Sequence, residues 1–208
     1  MSLVRVIGFL AAALGAGTAL ALTSLMLGVP TGWIGAAGLI GWAVAARRRW
    51  ARQEATSGLE PGAPERILWL RLAGVALVLG HLAAAILLVQ GDLRVGHGNS
   101  LAIDSWTMVA AIQIAALLFR RDSRERDERH DAIAAHGVRV GYAALIGLLL
   151  VLIPWLGLTP EGLRAPLTDF VLANLLIAVL LTSYAAMLLA QLIAYAKDTR
   201  RAEAEHSL

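Results

Sequence analysis

Residues 67–90 read ILWLRLAGVALVLGHLAAAILLVQ, with one arginine, Arg71, and one histidine, His81. A helix rises about 1.5 Å per residue, so this stretch reaches about 36 Å, enough to cross the roughly 30 Å hydrocarbon core of a bilayer. A surface helix of a soluble protein carries a broad polar face, which this stretch lacks. The stretch therefore predicts a membrane-spanning helix.

The rest of the chain repeats this pattern. The protein is 58% hydrophobic, its mean hydropathy is +0.68, and 16% of its residues are charged, against about 25% in an average soluble domain. We expect an all-α polytopic membrane protein in which residues 1–208 form a single transmembrane domain of six helices. The first span is long enough to be retained rather than cleaved as a signal peptide. The predicted spans are residues 6–27, 30–46, 67–90, 101–119, 133–155 and 169–196.

The basic residues divide unequally between the two sides of these spans. Sixteen of the eighteen Lys and Arg residues fall on one side, and only Arg94 and Arg164 fall on the other. The positive-inside rule then predicts that both termini are cytoplasmic, in the inner membrane of a bacterium. The sequence pI of about 9.9 has the same origin, so we expect the lipid bilayer, and not nucleic acid, as the partner of these charges.

The predicted loop between spans four and five carries charges of both signs. Residues 124–133 read RERDERHDAI, and the i,i+4 spacing of Glu125 and Arg129 favours a helix. The carboxylates could bind a divalent cation, but arginines interleaved with them favour self-pairing. The loop resembles that of small bacterial multi-pass membrane proteins of unknown function, whose cytosolic motif reads Asp-Glu-Arg-x-Asp/Glu-x-Ile. The resemblance implies no activity. The matching residues are Asp127, Glu128, Arg129, Asp131 and Ile133.

Polar groups inside the spans are few, and each is costly in hydrocarbon unless it faces a partner or water. Those in the outer half could form a cation or proton site that faces the periplasm, with Asp92 and His97 in the loop above. The alternative is that Asp104 and Asp169 cap their own helices and that His81 makes a single interhelical hydrogen bond. The candidate polar or ion site comprises His81, Asp104, Gln113, Asp169 and Asn174.

Several classes of enzyme lack support in this sequence. It has no cysteine, no Gly-x-Ser-x-Gly, no His-Glu-x-x-His and no glycine-rich phosphate loop. His81 and His136 are expected at different depths, which argues against haem ligation. We therefore expect no catalytic residues, no metal site and no cofactor.

Small residues four apart in the spans predict close helix packing. The expected packing positions are Gly80 in span three and Gly137 and Gly141 in span five, and Ala37, Gly41 and Ala45 in span two repeat the spacing. We expect a non-enzymatic protein that acts through helix packing, either with itself as a homo-oligomer or with a membrane-protein partner. The alternative is a small transporter or channel with a periplasm-facing polar site. Two halves of three spans would be inverted relative to each other, as in several transporters, but the halves share no residue-level repeat.

Overall fold

The protein is a helical bundle. The computed structural model describes residues 3–57, 63–89, 100–119, 128–160 and 169–206, with the side chains of 6–52, 64–87, 101–117, 128–160 and 171–198. Within these residues there is no strand, and the all-α prediction is confirmed. The helix Ala63–Ala84 continues directly into a π-helix, Ala85–Val89. The helices are α1 (Leu3–Leu27), α2 (Gly32–Ser57), α3 (Ala63–Ala84), α4 (Ser100–Phe119), α5 (Glu128–Leu158) and α6 (Asp169–His206).

The helices extend beyond the apolar stretches from which they were predicted. α2 continues through its arginines to Ser57, and α5 begins at Glu128, inside the charged motif. Hydropathy marks only the part of a helix that suits hydrocarbon, whereas backbone hydrogen bonds continue into the polar flanks. Several residues of the sequence predictions lie outside the described residues: Asp92, Arg94, His97, Arg124, Glu125, Asp127 and Arg164.

Four of the described helices, α1, α3, α5 and α6, are long and apolar enough to cross a membrane. α4 has a shorter apolar stretch, Leu101–Leu117. In α2 the apolar residues end at Arg47, about halfway along the helix. The chain is thus a transmembrane helical bundle, and its exposed apolar side chains have hydrocarbon as their natural solvent.

α3 lies at the centre of the bundle and packs against α1, α4 and α6. α2 packs chiefly on α4, and α5 packs chiefly on α6. α1 and α2 are consecutive in the chain but share few contacts, so a groove separates them. One core cluster joins α2, α3 and α4 around Leu77 and Met108. A second joins α3, α5 and α6 around Leu72 and Leu188.

Glycines let α1 and α3 approach to backbone contact. A Cβ atom at Gly80 would overlap the carbonyl oxygen of Leu14, and one at Gly17 would overlap the carbonyl oxygen of Leu77. The Thr18 hydroxyl donates to the Gly80 carbonyl oxygen at 3.2 Å across the same crossing. No larger side chain fits at either glycine unless the two helices separate.

The contact between α5 and α6 also depends on glycine. A Cβ atom at Gly137 would overlap the Gln191 side chain, and one at Gly141 would lie 2.8 Å from the Met187 Cβ. Arg129 Nε donates to Asp198 Oδ2 at 3.0 Å where the two helices meet the polar flank.

The small-residue repeat of α2 does not lie at a helix contact. Gly41 has no atom of a neighbouring element within 4 Å of its Cβ position among the described residues. Ala37 and Ala45 are exposed on the same helix. Spacing alone therefore does not identify which small residues meet a neighbour.

Charged side chains mark one end of the bundle in the described residues. The Arg66 guanidinium carbon lies 5.7 Å from the centre of the Trp50 ring, and Arg129 pairs with Asp198 near the same end. We call the end that contains Trp50, Arg66, Arg129 and Asp198 the basic end. The turn between α1 and α2 lies at the opposite end of the bundle.

Candidate functional site

Asp104 is the most unusual buried residue of the bundle. It lies on α4, its side chain is 0% exposed, and its Oδ2 atom accepts hydrogen bonds from two positions flanking the α1–α2 turn. The Ser24 hydroxyl donates at 3.0 Å and the Thr31 backbone N–H at 2.9 Å. Asp104 thus holds this turn to a helix about 70 residues further along the chain.

The local sequence explains why the turn presents these donors. The N–H of Gly28, with a φ of +63°, donates to the Ser24 carbonyl oxygen at 2.9 Å and ends α1. Glycine adopts this left-handed conformation without the steric cost that other residues incur. Thr31 immediately precedes α2, and its carbonyl oxygen accepts from the Gly35 N–H at 3.0 Å. The Thr31 N–H and hydroxyl therefore remain available to groups outside the helix.

Gly32 allows the carboxylate to approach the start of α2. A Cβ atom at Gly32 would overlap the Asp104 Cα and would lie 2.7 Å from Oδ1. The Thr31 hydroxyl lies 3.1 Å from Asp104 Oδ2 and 2.9 Å from the Leu20 carbonyl oxygen, and its one proton can be donated to either. The partial positive charge at the N-terminus of α2 favours a carboxylate at this position.

His81 on α3 is the second buried titratable group of the cluster. Its side chain is 0% exposed, and its Nδ1 atom lies 3.0 Å from the Ser105 hydroxyl on α4. Ser105 follows Asp104 directly on α4, so the imidazole lies close to the carboxylate-bearing residue. Three helices and one turn thus bring a carboxylate, an imidazole and three hydroxyls together.

One atom of each titratable group has no hydrogen-bond partner among the described residues. These atoms are Asp104 Oδ1 and His81 Nε2, and both are fully buried. Buried polar atoms are nearly always paired, because an unpaired one costs about 1–3 kcal/mol. A carboxylate oxygen and an imidazole nitrogen in this condition can hold a proton, a water molecule or a small cation.

Asn174 lies near the cluster but on a separate cavity. It is buried on α6 and lines a cavity of about 200 Å³ together with Ser105 and Trp106. The remaining lining is apolar, from α3, α4 and α6. Ser105 therefore connects His81 on one side with the cavity that contains Asn174 on the other.

The other two residues of the predicted site are placed differently. Gln113 is exposed and lies nine residues after Asp104 on α4, about 13 Å further toward the basic end. Asp169 is the first residue of α6, and its side chain lies outside the described residues. Asp104 does not cap its own helix, because α4 begins four residues earlier, at Ser100. Its carboxylate instead accepts the hydrogen bond of the Thr31 N–H at the start of α2.

The sequence reasoning missed Ser24, Thr31 and Ser105. Hydroxyl residues are common in membrane helices, where many bond to their own backbone as Thr107 does. Their position in the chain was the one useful signal. Ser24 and Thr31 flank the turn between α1 and α2, and Asp104 near the start of α4 lies at the same end of the bundle. No rule of spacing indicated that the turn and α4 would meet.

Among the described residues, no three His, Asp or Glu side chains cluster as metal ligands would. The fold and the cluster define a multi-helix membrane protein with a buried carboxylate and imidazole toward the end opposite the basic end. No protein-family model matches the chain, and no curated protein or solved structure is similar to it. The resemblance of residues 127–133 to small bacterial membrane proteins stays a prediction.

Proposed function

We propose that this chain is a bacterial inner-membrane protein with six spans and cytoplasmic termini, and that it acts without catalysis through helix packing with a second copy or a membrane partner. Four helices of spanning length support a polytopic membrane protein. α2 and α4 lie alongside them in the same bundle. The arginines near Trp50 and Arg66 support a cytoplasmic location for the basic end.

The proposal of helix packing depends on α5. Among the described helices its extensive contact is with α6, and only its Ile133 joins the core cluster shared with α3. Side chains on its remaining surface are apolar and exposed, among them Tyr142 at 66% and Leu150 at 66%. Lipid could cover such a face, so hydropathy alone does not require a protein partner.

Small residues on the same face favour a helix over lipid. Ala143 and Gly147 are four apart and exposed, and Gly147 has no atom of a neighbouring element within 4 Å of its Cβ position in the described residues. Glycine inside a helix costs about 0.5–1 kcal/mol relative to alanine. A partner helix that packs closely at Gly147 would offset that cost, as Met187 does at Gly141.

Disulfide cross-linking tests self-association, since the chain has no cysteine of its own. Ile146→Cys on the open face of α5 should give a disulfide-linked dimer in membranes. Leu180→Cys, an exposed apolar position on α6, is the control and should give much less. Equal cross-linking of the two variants would exclude a specific α5 interface between copies.

A second candidate function, ion or proton transport, is favoured by the two unpartnered buried atoms, Asp104 Oδ1 and His81 Nε2. Transport requires the cluster to open to water, because both side chains are fully buried in the described conformation. Purified protein in liposomes, assayed with pH-sensitive and sodium-sensitive dyes, should then carry a flux that Asp104→Asn abolishes. A flux equal to that of empty liposomes would reject this candidate.

A further inference from the structure

An apolar groove of about 620 Å³ lies between α1 and α2, with Ala73 and Leu77 of α3 as its floor. It exists because α1 and α2 share few contacts with each other and pack on α3 and α4 instead. Its volume falls within the roughly 300–1,000 Å³ that is usual for ligand sites. Small side chains form much of its walls: Ala12, Ala16, Ala19, Gly35 and Gly38.

The lining of the groove suits a hydrocarbon chain. Thr23 brings a hydroxyl to the lining, but that hydroxyl donates to the Ala19 carbonyl oxygen at 2.8 Å. Along α2 the groove runs from Ile34 to Trp42, eight residues or about 12 Å. Along α1 it runs from Phe9 to Thr23, fourteen residues or about 21 Å. The groove is thus long enough to hold an acyl chain of one leaflet, whose hydrocarbon is about 15 Å thick.

A second cavity, of about 370 Å³, continues from the groove toward the basic end. Trp42 lines both cavities, and Arg49 and Trp50 line the second. Residues 32–52 of α2 contain four arginines and no Asp or Glu. The charge beside this second cavity is therefore positive and suits an anion.

We propose that an anionic phospholipid occupies the two cavities together, with an acyl chain between α1 and α2 and its phosphate at Arg49. An apolar groove that continues past Trp42 into a cavity lined by an arginine matches the shape and charge of such a lipid. A cluster of arginines just cytoplasmic of an apolar helix is a recognised type of anionic headgroup site. The lipid fills the gap that separates α1 from α2.

Lipid binding to the detergent-solubilised full chain tests this, with bound lipid counted by native mass spectrometry during titration with phosphatidylglycerol or phosphatidylcholine. Phosphatidylglycerol should bind more tightly. Arg49→Gln should weaken its binding about fivefold, the ratio that corresponds to about 1 kcal/mol for one arginine near an anionic headgroup. Gly38→Leu should weaken it at least as much by filling the groove, and the open space at Gly38 admits the leucine without a clash.

Each variant has a matched control on the same helix. Arg48 is exposed and does not line the second cavity, so Arg48→Gln should bind phosphatidylglycerol as the unaltered protein does. Gly41 also has open space around it and does not line the groove, so Gly41→Leu should do the same. Equal binding of the two lipids, or equal losses in the variants and their controls, would overturn the proposal.

Discussion

Asp104 demonstrates how one carboxylate can organise part of a membrane bundle. Its Oδ2 atom accepts hydrogen bonds from the Ser24 hydroxyl and the Thr31 N–H. These bonds hold the turn between α1 and α2 to α4. In hydrocarbon an isolated carboxylate would be very costly. The hydrogen bonds, together with the positive end of α2, lower that cost.

Removing the carboxylate should therefore destabilise the fold. We expect Asp104→Ala to lower the free energy of unfolding by about 3 kcal/mol, because hydrogen bonds to a charged group contribute about 1.5–3 kcal/mol and the Thr31 N–H is left unpaired. Asp104→Asn should cost less, since the amide oxygen can still accept. Thermal unfolding in detergent measures both. Gln113→Ala, exposed on the same helix, serves as the control, and an equal loss there would contradict the assignment.

His81 and Asp104 should also act together. Neighbouring groups that share electrostatic interactions typically show coupling energies of about 0.5–3 kcal/mol. A double-mutant cycle with His81→Leu and Asp104→Asn, measured by thermal unfolding, should give a coupling in this range. Purely additive effects would mean that the imidazole is held by Ser105 alone.

The residue types of the site could be predicted from the sequence, but their partners could not. His81 and Asp104 are conspicuous because polar groups in apolar spans are rare. Gln113 is equally conspicuous and yet is exposed, because hydropathy does not indicate which side of a helix meets a neighbour. Ser24 and Thr31 became significant only once the turn and α4 were seen to meet.

At the scale of the helices, the glycines show that regular spacing of small residues does not by itself produce close helix packing. Gly80 and Gly41 both belong to small-residue repeats, but only Gly80 meets a neighbouring backbone. The sequence predicted where the helices are because length and hydropathy determine that. It could not predict their rotation about their own axes, since the apolar residues of spans such as α2 and α3 surround the whole helix.

Alanine substitution distinguishes the two glycines. Gly80→Ala should lower the free energy of unfolding by about 1–3 kcal/mol, because the added methyl group overlaps the Leu14 carbonyl oxygen. Gly41→Ala should leave stability unchanged or raise it by up to about 1 kcal/mol, since alanine is the better helix former. Opposite signs by thermal unfolding in detergent are the expected result. A stabilising Gly80→Ala would refute the close crossing of α1 and α3.

At the scale of the whole molecule, the membrane topology can be tested directly. We expect alkaline phosphatase fused after Arg126 to be inactive and the same enzyme fused after Arg94 to be active, because the basic side should stay in the cytoplasm. The two fusion points lie on opposite sides of α4, so the pair also tests whether this helix crosses the membrane. Equal activity at both points would remove α4 from the spans.

The tie between Thr31 and Asp104 has a consequence for biosynthesis. The two residues are 73 positions apart, and ribosomes add about 5–20 residues per second. Asp104 is therefore synthesised about 4–15 s after Thr31, so the turn between α1 and α2 is made before the carboxylate that holds it. During that interval the turn lacks its acceptor, and α1 and α2 have few contacts with each other to hold them together.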